Sequence, residues 1–106
     1  MGGKCATLAA QVKHVAFYLD VVVNEVMDPA SPSPDWGDIW RTVKGVTPQE
    51  WQDIQVELRT SYARIKTLID QTPAWNSPDK IAGAIAVVAH TAYHLGEIRQ
   101  ALCTLR

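Results

Sequence analysis

His90 and His94 stand four residues apart in the run His90-Thr91-Ala92-Tyr93-His94-Leu95-Gly96-Glu97-Ile98-Arg99. On a helix, positions i and i+4 lie one above the other on the same face. Two imidazoles placed that way can share one metal ion, as the paired histidines of helical zinc motifs do. A packed, hydrogen-bonded core histidine satisfies the same spacing. The chain has 3 histidines, and the third, His14, also lies in an apolar helical pattern. The functional question is therefore whether three rings converge. Three neutral imidazoles suit Zn²⁺, Ni²⁺ or Fe²⁺ and leave coordination positions open to water or substrate. Burial would depress the histidine pKa values and favour the neutral, ligating form.

Three long helices would have to position these rings. The first spans about residues 4–27, where Leu8, Val12, Val15, Leu19, Val22 and Val26 alternate at four- and three-residue steps. A second stripe of Ala10, His14, Phe17 and Val21 widens the apolar surface, so this helix needs partners on two sides. Residues 28–46 form a connection in which Pro29, Pro32 and Pro34 exclude regular helix. Within it, Trp36 to Trp40 suits a short helical turn, and the two tryptophans are placed to cover a bundle end or line a pocket mouth. The second long helix covers about 47–72. Thr47-Pro48-Gln49-Glu50 combines an N-cap, Pro at the first position and Glu at the third. Trp51, Ile54, Leu58, Tyr62, Ile65 and Ile69 form its stripe, and Pro73 ends it. The third covers about 77–105, with Ser77 as N-cap and Pro78 behind it. Residues 81–89 are apolar all round and small, a composition suited to the centre of a bundle. Gly83 and Gly96 each cost about 1 kcal/mol relative to Ala in a helix, which close approach of a neighbouring backbone or bound group would explain, as would plain packing.

Connection lengths constrain the topology. The short link before Ser77 makes the second and third long helices antiparallel neighbours. A first helix of about 24 residues is roughly 36 Å long, and an extended link of about 19 residues reaches roughly 60 Å. The first and second helices can therefore run parallel, with the third antiparallel to the first. If His14 faces the middle of the His90–His94 pair, facing residue numbers sum to about 106. That register brings Cys5 near Cys103.

The composition is that of one globular domain. The chain has 106 residues, of which 47% are hydrophobic and 20% charged, in the range where a single core is expected. A net charge of −1 gives no reason to expect nucleic acid or an anionic membrane as partner. Uninterrupted apolar runs fall short of the roughly 20 residues of a membrane span. The first residues lack a signal-peptide pattern, and Ala6 stands where a myristoylation signal has Ser or Thr. Cys5 and Cys103 make no metal-binding spacing and read as reduced thiols, with a redox-sensitive or disulfide pair as the alternative. A cytoplasmic location is the expectation.

His90-x3-His94 within the segment AHTAYHLGEIRQAL resembles the last helix of the DinB-like family, whose signature approximates H-x-x-x-H-x-G-Q-I. The segment Val12-Lys13-His14-Val15-Ala16-Phe17-Tyr18-Leu19 resembles the family helix that carries the first histidine. The resemblance implies one DinB-like domain over residues 1–106, an all-α up-down-down-up helical bundle with the long crossover at 28–46. It also implies a divalent metal held by His14, His90 and His94. The family includes thiol S-transferases, a mycothiol-dependent isomerase and many proteins of unknown activity. Glu97 stands where the family usually has Gln, and the family's first helix has no counterpart here. Its loss would expose the apolar flank of the first and third helices, so a homodimer covering that flank is expected.

Four further residues flank the histidines. Glu97, three after His94, could orient a ligand or act as a base, or be a plain solvated glutamate. Tyr18 and Tyr93 could donate a hydrogen bond near the site or pack. Arg99 could meet an anionic thiol cofactor or stand at the surface near a helix end. The functional expectations are thus a metal-dependent hydrolase or thiol transferase, a catalytically inactive helical assembly module, or a small-molecule binder near Trp36 and Trp40. The sequence names no substrate.

Overall fold

The three long helices start where a hydroxyl can accept the backbone donors that a helix N-terminus leaves free. The computed structural model describes residues 7–72 and 74–105. Helix α1 spans Leu8–Met27, and the Thr7 hydroxyl accepts the Ala10 N–H at 3.1 Å. Residues 4–6, and with them Cys5 and its proposed contact with Cys103, lie outside the described residues. Helix α2, Asp38–Thr42, is the short turn expected in the long connection, introduced by Asp35 accepting the Gly37 N–H. Helix α3, Pro48–Asp70, opens with a complete capping box: Thr47 Oγ1 accepts from Glu50 N–H, and Glu50 Oε1 accepts from Thr47 N–H. Helix α4, Pro78–Leu105, follows Ser77, whose hydroxyl accepts the Asp79 N–H at 3.2 Å.

Paired side chains fix the helix directions. Lys13 bonds Glu57 at 3.3 Å and Arg64 bonds Asp20 at 2.6 Å, so residue numbers rise together and α1 and α3 run parallel. Gln11 meets Glu97 while His14 meets His90, so α1 and α4 run antiparallel. Val15, Leu19 and Val23 of α1 and Ile65 of α3 form the core, with Leu58, Leu68 and Val87 packed around it. Helix α1 is the central element. Ala9, Ala10 and Ala16 are buried on it, where a small side chain lets neighbouring elements come close.

Helix α4 behaves differently from the expectation of a bundle centre. It packs on α1 but not on α3, so α3 and α4 stand apart on either side of α1. Ile81, Ile85, Val88, Leu95 and Leu102 are exposed. A Cβ added at Gly83 or Gly96 would meet nothing within 4 Å, so no group among the described residues accounts for either glycine. The reason is geometric: one neighbour can cover only one face of a helix that is apolar on all of them. Among the described residues, α4 is also the one helix long and apolar enough to cross a membrane by length and composition. Neutral residues between its short apolar runs carry the average over the whole helix.

Candidate metal centre

The three histidines come together where α1 crosses α4. His14 and His94 are buried and His90 is half-buried. His14 and His90 approach through their Nε2 atoms at 3.3 Å, and His90 and His94 through theirs at 3.2 Å. One ring nitrogen from each of the three lies within 4.8 Å of the others. Metal–nitrogen bonds of about 2.0–2.1 Å in a tetrahedral arrangement place neighbouring ligand nitrogens about 3.3 Å apart. The two shorter separations match that edge, so the donor set fits a divalent cation of zinc size.

Hydrogen bonding selects the ligating tautomer of His94. Its Nδ1–H donates to Gln11 Oε1 at 2.8 Å, and Glu97 Oε1 lies 3.0 Å from the same nitrogen. Gln11 Nε2 in turn donates to Glu97 Oε2 at 3.4 Å. With the proton held on Nδ1, the Nε2 lone pair faces the other two rings. Glu97 is therefore part of the network that orients His94 rather than a solvated side chain. The Nδ1 atoms of His14 and His90 are buried and have no hydrogen-bond partner among the described residues.

Aromatic rings wall the cluster. Trp40 lies tilted over His14 with centroids 4.7 Å apart, and Trp36 approaches the same ring edge-on at 6.2 Å. Tyr18 stacks on His90 at 3.8 Å, so it packs against the site. Tyr93 touches His94 edge-on at 5.3 Å but is itself largely exposed. Arg99 is exposed on α4. The tryptophans of the connection thus cover the histidines rather than a bundle end, and the apolar grooves of the chain open elsewhere, on the flank between α3 and α4.

Burial dominates the electrostatics. It lowers the pKa of His14 to about 4, with the charges of His94 and His90 acting in the same direction. Burial and then His94 also lower that of His90. Both rings are consequently neutral donors at neutral pH.

Sequence reasoning named all three histidines and Glu97 but passed over Gln11. The signal was available: Gln11 precedes His14 by three residues and so shares its helix face. Comparisons with protein-family models, with curated protein sequences and with solved structures find no match to this chain.

Proposed function

We propose that this chain is a DinB-like helical protein that binds one divalent cation, Zn²⁺, Ni²⁺ or Fe²⁺, through His14, His90 and His94. The observation that carries the reading is the convergence of three buried or half-buried imidazoles at metal-ligand spacing. A bound ion of this kind would supply Lewis-acid activation of a water or a thiol. The chain's own residues would bind it, hold the His94 tautomer through Gln11 and Glu97, and restrict solvent with Trp40, Trp36 and Tyr18. The chemistry that follows is hydrolysis or thiol transfer.

Metal analysis of the full chain, purified without a polyhistidine tag, tests the proposal. The expected result is one ion per chain after reconstitution, lost in His90→Ala and His94→Ala variants that keep their helix content. Substoichiometric metal that reconstitution does not raise would overturn it.

One observation favours a second reading, a helical module without metal chemistry. The Nδ1 atoms of His14 and His90 lack the outer-shell acceptors that metal-ligating histidines normally have. In that case the histidine variants retain every measurable property of the parent.

A further inference from the structure

The surface of this chain is larger than its mass explains. A compact monomer of 11.7 kDa exposes roughly 5,900 Å², whereas this chain exposes 7482 Å². Its radius of gyration is 15.1 Å, against about 13 Å for a compact domain of 100 residues. The excess surface, about 1,600 Å², exceeds the roughly 800 Å² that each partner contributes to a stable interface.

Apolar surface is left uncovered between the helices. Helices α3 and α4 flank α1 without closing over it, leaving an apolar groove of about 350 Å³. Val12 and Leu19 of α1 form its floor, Leu58 and Tyr62 of α3 one wall, and Leu95 and Ile98 of α4 the other. A second apolar cleft continues between the same three helices around Val26, Leu68 and Val87. Along the outer face of α4, Ile81, Ile85, Val88, Ala92 and Leu95 recur at alternating steps of four and three. Ile85 is 63% exposed and Val88 69% exposed. That spacing is the seam of a helix made to pack along another helix.

An apolar helix face that lacks a neighbour gains one on both subunits when it packs on its own copy about a two-fold axis. We propose that α4 is the interface of a homodimer. The outer faces of the two α4 helices pack against each other and run antiparallel, which sets each α4 at the edge of the α1–α3–α4 groove of the second copy. Charge selects the direction. Arg99 continues the same seam, so a parallel pair would set it against the partner's Arg99. An antiparallel pair with its axis near Ala92 separates the two by roughly 21 Å. Antiparallel pairing also opposes the helix dipoles favourably. Gly96 follows Leu95 of the seam, and with nothing within 4 Å of an added Cβ among the described residues it would then admit the partner's backbone. The inference does not depend on metal binding.

Sedimentation equilibrium of the full chain at micromolar concentration tests the proposal. The expected mass is about 23 kDa, twice the 11.7 kDa of the chain, and Val88→Glu should halve it while leaving the helix content intact. The register has its own test in a Cys5→Ser background. Ala82→Cys lies beside the partner subunit's Cys103 in the antiparallel pair, so mild oxidation should yield a covalent dimer. A monomeric parent chain overturns the proposal, as does a dimer that Val88→Glu leaves intact. A dimer in which Ala82→Cys fails to cross-link overturns the antiparallel seating. Co-sedimentation of a monomer with phosphatidylcholine vesicles would assign the α4 face to a membrane and also overturn it.

Discussion

Gln11 and His94 are 83 residues apart in sequence, and the Gln11 side-chain carbonyl accepts the Nδ1–H of His94 at 2.8 Å. This bond crosses from α1 to α4 and sets which nitrogen of His94 carries the proton. Removing such a partner weakens metal binding about 10–100-fold in known metal sites. Gln11→Ala should therefore raise the zinc dissociation constant by about one to two orders of magnitude while the far-ultraviolet spectrum stays unchanged. Chelator competition measures it. An affinity equal to the parent's would show that the bond does not support the ligand.

Much of this geometry is legible in the sequence. The capping box at Thr47, the prolines at 48 and 78 and the apolar periods are local signals, and local energetics decides them. The meeting of His14 with His90 follows from periodicity and connection lengths, because both specify faces and directions. The exposure of α4 was not legible from the residue pattern; only the resemblance to a bundle with one more helix made it an expectation. A helix apolar on all sides reads as a bundle centre, because composition and periodicity do not tell how many neighbours surround it, and in the structure only α1 packs on it among the described helices. Trp40 over His14 was equally hidden, since the path of a proline-rich connection is set by where its ends dock rather than by its own propensities.

Stability of the metal-free protein should depend on pH through His14. Burial and its two neighbours hold its pKa near about 4 in the folded state, below the ordinary value of 6.5. Above pH 6.5 both folded and unfolded chains carry the neutral ring, and the stability is fully present. As the pH falls from there towards about 4, the unfolded chain takes up the proton first and stability is lost. The loss between about pH 7 and about pH 5 should be about 2 kcal/mol from this residue, and His90 acts in the same direction. Urea unfolding of chelator-treated protein across this range measures it. A flat profile would mean that the rings are solvated.

Trp40 should report on the cluster. Its ring centroid lies 4.7 Å from that of His14, well inside the range at which a paramagnetic ion quenches indole emission. Titration with Ni²⁺ should quench part of the tryptophan fluorescence, and Trp40→Phe should reduce that quenchable part, which the double variant Trp36→Phe/Trp40→Phe should remove. Trp51 and Trp75 remain as the unquenched background. Equal quenching in the parent and in Trp40→Phe would place the bound ion away from His14.

Leu19 and Ile85 should separate the stability of the subunit from that of its assembly. Leu19 is 4% exposed and packs with Val15, Val23 and Ile65, so truncation leaves a cavity with few atoms free to fill it. Leu19→Ala should cost about 2–5 kcal/mol of unfolding free energy at any protein concentration. Ile85 is 63% exposed within its own chain, so Ile85→Ala removes almost no contact there. If α4 packs against a second copy, its effect appears instead in the concentration dependence of the melting temperature, because subunit association stabilises the native state by mass action. Thermal melts over a dilution series distinguish the two. Leu19→Ala shifts the whole series by a constant amount, while Ile85→Ala lowers the melting temperature most where the parent is associated and converges with it on dilution. A constant shift for both variants would place Ile85 in the fold of the single chain and remove it from the interface.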